Sequence, residues 1–192
     1  MRKIEFTLLV TTFLLFSSSL FSQEESPREI KYEKTIQDTG DVIQIALPAT
    51  AFISTLIMDD GKGSWQFIKS FGTNLGVTYL LKYAINKPRP DGATDGHAFP
   101  SGHTSTAFQS AAFIQKRYGW KYGIPAFALA GFVAYSRIEG LNDRHDGWDV
   151  LGGIVVGIGS SYLFTTPYKR DHFKLTFSKE NNIYQLGLLY RF

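Results

Sequence analysis

No cysteine occurs in the 192 residues, which excludes disulfides and thiolate metal sites and leaves the chain indifferent to an oxidising compartment. Charge is sparse too: 19% of the residues are charged and the formal net charge is +3. The basic residues are scattered rather than gathered in a run or stripe, so no nucleic-acid partner is expected. Glycine is plentiful, at 18 residues, yet no Gly-Lys-Ser or Gly-Lys-Thr follows any of them, which excludes a Walker-type phosphate loop. The length suits one domain with a continuous core and leaves little room for a second.

Met1, Arg2 and Lys3 precede an apolar stretch over residues 6–20, followed by Ser22 and an acidic pair. This order predicts a secretory signal over residues 1–22, with an uncleaved N-terminal membrane segment as the alternative. Export is the expectation, to a periplasmic position that is either soluble or membrane-associated, with the active site facing the periplasm. Residues 23–38 are polar, carry Pro27, and read as a linker or a peripheral helix.

The body, residues 39–168, reads as mainly α: a bundle of about five core helices over 42–58, 65–83, 104–118, 124–136 and 148–163. Asp59-Asp60-Gly61 stops the first of these. Residues 86–100 hold three of the seven prolines and are a loop. Gly153, Gly157 and Ser161 recur every four residues, giving the last helix a smooth face for close packing. In the tail, residues 169–192, apolar side chains alternate over 172–178 and 183–192, which predicts a short β-hairpin packed on the helical body.

Three polar clusters fall at predicted helix–loop boundaries, where a buried scaffold presents groups to a ligand. Ser101-Gly102-His103 opens a helix, so free N–H groups and the positive end of the helix dipole converge there on an anion. Lys82, Arg89 and Arg137 supply cations suited to a doubly charged group. His145 and Asp149 are four apart; a carboxylate on one imidazole nitrogen fixes the tautomer and frees the other lone pair for attack.

Lys-x6-Arg-Pro at Lys82 to Pro90, Pro-Ser-Gly-His at Pro100 to His103, and Ser-Arg…His-x3-Asp ending at Asp149 resemble the signature of the type 2 phosphatidic acid phosphatase and vanadium haloperoxidase superfamily. The resemblance implies a helical bundle and metal-independent hydrolysis of phosphomonoesters without a cofactor. It also implies roles: Lys82, Arg89, Ser101, Gly102 and Arg137 hold the phosphate oxygens. His145 attacks phosphorus with Asp149 orienting it, and His103 protonates the leaving oxygen and then activates water. One departure from the family pattern is a spacer of seven residues between Arg137 and His145, where five is usual.

Phosphoryl transfer spreads charge over three oxygens, so fixed cations and N–H groups supply most of the catalysis. A vanadate-dependent haloperoxidase and a non-catalytic envelope interaction protein are the rival readings. Apolar segments at 42–58 and 124–134 favour a lipid phosphate or isoprenoid pyrophosphate and association with a membrane. Mean hydropathy, at −0.09, is low for a multi-span protein. Lys116, Arg117, Lys121 and Lys169-Arg170 nonetheless follow a positive-inside arrangement, opposite the active-site loops.

Overall fold

The computed structural model of the chain describes residues 27–90, 96–140, 145–168, 173–180 and 183–190. The expected signal segment, Lys169-Arg170, the hairpin turn and four residues of the Arg137–His145 spacer, 141–144, lie outside them. The helices run α1 (Pro27–Ile57), α2 (Gly61–Ile85), α3 (Gly102–Tyr118), α4 (Trp120–Ile138) and α5 (Gly147–Phe164), followed by strands β1 (Phe173–Glu180) and β2 (Ile183–Tyr190).

Residues 27–38 form the first turns of α1 instead of a linker, continuous with the segment that enters the bundle. Proline is tolerated at the first helical position because its missing N–H would have no partner there. Asp60 caps α2, accepting from Gly63 N at 2.9 Å, and Asn86 ends it in the left-handed conformation at φ 46°.

Helix α3 lies at the centre and packs on all four others. Its closest neighbour is α5, and the glycine face expected from the sequence is the reason. A Cβ on Gly157 would stand 2.4 Å from Ser105 O, and one on Gly153 2.7 Å from Ser101 O, so any side chain there would drive the helices apart. Phe67 meets Phe113 edge-on at 5.1 Å and stacks on Phe71 at 5.5 Å, closing the apolar centre with Leu47, Ala107 and Val133.

Much of the interior is polar. Ser70, Asn74 and Thr78 of α2 face Ser105 and Gln109 of α3, and all five are buried. They bond across the interface, with Gln109 Nε2 to Ser70 Oγ at 2.9 Å and Thr78 to Ser105 at 3.0 Å. Large apolar side chains, among them Ile57, Leu80, Ile124, Val155 and Leu163, point outward. Small and hydroxyl-bearing residues inside with branched ones outside suit helices surrounded by an apolar medium. Helices α1 (over Ile30–Ile57) and α5 are each long and apolar enough to cross a membrane.

The strands pair antiparallel, from Phe173 opposite Tyr190 to Glu180 opposite Ile183. The expected packing of this hairpin on the body is not realised: no element contact joins either strand to a helix among the described residues. Phe177, Tyr184 and Leu186 are exposed, so the alternating pattern marks a ladder face without requiring the bundle to cover it.

At the end remote from Ser101, Arg117 is a structural clasp and not part of an exposed basic cluster. Its guanidinium makes a forked pair with Asp60, with Nε to Oδ2 at 2.6 Å, and donates to Thr166 O at 2.8 Å. Both side chains are 3% exposed. Arg117→Met leaves the Asp60 carboxylate buried without its counter-charge and is expected to cost about 3–5 kcal/mol, read from chemical unfolding in detergent micelles; a loss within the usual surface range would show the pair to be dispensable.

Candidate active site

The N-terminus of α3, the C-terminal turns of α2 and α4 and the N-terminus of α5 meet at one end of the bundle, and α1 passes alongside. They enclose a cavity of about 310 Å³ whose lining includes Lys82, Arg89, Gly102, His103, Arg137 and His145. Six of the eight residues singled out in the sequence therefore share one space. Ser101 and Asp149 do not line it.

Ser101 is fully buried and acts as the α3 cap, its Oγ accepting from Thr104 Oγ1 at 3.0 Å. Its N–H donates to Asp149 O at 2.8 Å, which ties the start of α3 to the start of α5. Gly102 and His103, in the first turn of α3, have N–H groups beyond the reach of intrahelical acceptors. A Cβ on Gly102 would stand 3.8 Å from Cε of Lys82, inside the space between the helix end and the ammonium. Lys82 Nζ is steadied by His97 O at 2.7 Å.

Asp149 is the third residue of a capping box at the head of α5: Asp146 accepts from the N–H groups of Trp148 and Asp149, both at 3.0 Å, and Asp149 Oδ2 accepts from Asp146 N at 3.2 Å. The same Oδ2 lies 3.4 Å from Nδ1 of His145. That is an ion-pair separation longer than a well-formed hydrogen bond, and Nδ1 has no aligned acceptor among the described residues. With Nδ1 turned to Asp149, Nε2 is the nitrogen directed to the cavity.

His145 is 6% exposed. Burial, together with the nearby charges of Lys82 and Arg89, outweighs the opposing pull of Asp149 and lowers its pKa to about 4. The imidazole is therefore neutral near pH 7, with a lone pair available.

Among the cavity-lining residues that the motifs do not contain, three come from α1. Gln37, Asp41 and Gln44, all on α1, form a polar stripe at spacings of four and three. Asp41 Oδ1 lies 2.8 Å from Arg137 Nη1 and 3.3 Å from His103 Nε2, and Gln37 O accepts from Arg137 Nη2 at 3.0 Å. Gly40 permits this approach, since a Cβ there would meet Ser136 Oγ at 2.0 Å. The available signal was a carboxylate and two amides at helical spacing just where α1 turns apolar. Lys87 was also missed: its Nζ lies 2.8 Å from Asp149 Oδ1 and contacts Asp146 as well.

The PAP2 superfamily model matches residues 63–172. A lipid A 4'-phosphatase of Helicobacter pylori strain J99 is 33% identical over 150 residues, covering 73% of this chain and 74% of the relative. A lipid A 1-phosphatase of Porphyromonas gingivalis is 42% identical over 86 residues, which is 43% of this chain and 19% of that longer protein. In fold, the chain is similar to the crystal structure of Aquifex aeolicus LpxE, with a TM-score of 0.57 at 22% identity, over 78% of this chain and 92% of that one.

The depressed pKa sets a sign for acid stability. Between the ordinary 6.5 and about 4 the unfolded chain holds a proton on His145 that the folded chain does not. Stability from this group is therefore lost as pH falls through that window. His145→Gln is expected to flatten the fall, measured as unfolding midpoint against pH; parallel curves for the two proteins would contradict the assignment.

Proposed function

The chain belongs to the PAP2 superfamily and hydrolyses lipid phosphates, and from that premise we propose that its substrate is a phosphate monoester of a lipid A-type glycolipid, cleaved through a phosphohistidine at His145. The observation that carries the mechanism is the neutral, buried His145 held between Asp149 and two cations on the wall of the cavity. The named activity of the relatives supports the glycolipid, and neither a haloperoxidase nor a non-catalytic role gains support from them.

The lone pair of His145 Nε2 attacks phosphorus while Lys82, Arg89, Arg137 and the Gly102 and His103 N–H groups meet the three oxygens. The bond from phosphorus to the leaving oxygen breaks, and the proton of a cationic His103 passes to that oxygen, releasing the lipid alcohol. His103, now neutral, takes a proton from water as the hydroxyl forms its bond to phosphorus. The nitrogen–phosphorus bond breaks, phosphate departs and His145 is again neutral. Asp149, behind the ring, balances the positive charge that the imidazole carries in the intermediate. Ser101 serves by capping α3 and by its bond to Asp149 O.

The outward apolar surface supports an integral membrane placement. Helix α5, 18 residues long, spans about 27 Å, close to the roughly 30 Å of a bilayer core. Lys62, Lys116 and Lys121 belong to the end opposite the cavity, next to Trp65 and Trp120. This supports a cytoplasmic position for that end and a periplasmic one for the active site.

Phosphate release from a lipid A-type substrate is expected to persist in chelator and to fall by about 10³-fold or more in His145→Ala. In His103→Ala formation of the phosphohistidine is expected to slow much less on an aryl phosphate, whose leaving group needs no proton, than on a lipid, while its hydrolysis slows equally on both. Activity abolished by chelator and restored by a divalent ion, or equal slowing of phosphohistidine formation on both substrates in His103→Ala, would count against the mechanism.

A further inference from the structure

Lys87 stands outside the cavity lining, on the proline-bounded segment that follows α2. Its ammonium lies against both carboxylates at the head of α5, 2.8 Å from Asp149 Oδ1 and in contact with Asp146 Oδ2. We propose that Lys87 is a positioning residue for the reaction: it balances the charge of the buried Asp149 carboxylate and holds it turned so that its second oxygen faces His145. The proposal rests on the phosphohistidine reading of His145.

The two ion pairs are unequal. Asp146 is 40% exposed, and a pair with it is worth little because water already solvates the carboxylate. Asp149 is 0% exposed. A carboxylate without water ionises only where other groups replace its hydration. Lys87 supplies a full charge on Oδ1, while the Asp146 N–H and the head of α5 supply partial charge on the side of Oδ2. With Oδ1 occupied, Oδ2 is the oxygen left to the imidazole.

Main-chain bonds hold this arrangement in place. Lys87 O accepts from Ala98 N at 2.9 Å, so the residue that grips Asp149 also anchors the strand of loop that leads into Ser101. Ser101 N in turn donates to Asp149 O at 2.8 Å, closing a ring of contacts behind the site. The charged groups facing His145 are Lys82 from α2, Arg89 from the loop and Asp149 from α5; those facing Lys87 are Asp146 and Asp149. Without Lys87, the carboxylate directs its full charge at His145, which then protonates more readily. That change inactivates the nucleophile at a higher pH than before.

The test compares the full-length wild type with Lys87→Met and Lys87→Arg in detergent micelles. Two readouts are followed: kcat/KM against pH on an aryl phosphate, and the titration of the His145 ring by NMR. The Met variant is expected to move the acid limb and the His145 titration up by about one unit and to lower kcat about tenfold, while the Arg variant stays at the wild-type position. Lys87→Gln, which keeps a donor without the charge, carries the Met expectation if the Met variant does not fold. A charge-neutral variant whose limb and ring titration remain at the wild-type pH overturns the proposal, whatever its absolute activity. So does an Arg variant that behaves like Met. A wild type that turns over without a phosphohistidine defeats the underlying reading of His145, whereas an active wild type with an unshifted variant defeats this inference alone.

Discussion

The carboxylate of Asp149 has no exposed surface, and three parts of the chain converge on this residue: Lys87 from the loop after α2 on one oxygen, the neighbouring Asp146 N and His145 ring on the other, and Ser101 N from the start of α3 on the main-chain carbonyl. A buried anion that lost these partners would be too costly to keep. The loop after α2, the start of α3 and the start of α5 are consequently fixed relative to one another by a single residue. The depressed basicity of His145 depends on the same enclosure, because burial is its largest cause and the flanking cations add to it.

Behind this end the bundle is built so that it can be thin. Glycines at 153 and 157 let α5 lie against the main chain of α3, and serine, threonine, asparagine and glutamine bridge α2 to α3 where a water-soluble core would hold branched residues. Apolar side chains are thereby released to the outer surface. The Arg117–Asp60 clasp closes the opposite end. Helix α1 begins well before the bundle and brings Gln37, Asp41 and Gln44 to the cavity mouth, where Gly40 allows close passage over Ser136.

The bundle and most of the site were legible in the sequence because both depend on local signals. Period and punctuation marked four of the five helices within a few residues, and Pro-Ser-Gly-His stated a helix start and an anion site in four letters. What was not legible depends on distance. Lys87 lies 62 residues from Asp149, and nothing in its neighbourhood announces a partner; Asp41 lies 96 residues from Arg137. Residues 27–38 read as a linker or a peripheral helix because most of their side chains are polar and exposed, and the helix is what forms. Ser101 was legible as a cap and, through the resemblance, as a phosphate-binding residue; its hydroxyl oxygen accepts from Thr104 at the cap. The hairpin has the right alternation, but alternation specifies a face and not what covers it.

A neutral imidazole backed by a buried carboxylate can act on a phosphate as a base or as a nucleophile, and the account assigns His145 the bond to phosphorus. Rapid quenching of wild-type turnover into base, followed by mass spectrometry of the peptide spanning the seven-residue spacer and the head of α5, tests this directly. The account predicts phosphate on His145, stable in base and lost in acid. Steady turnover with no phosphate on that peptide, or with phosphate on another residue, would contradict it.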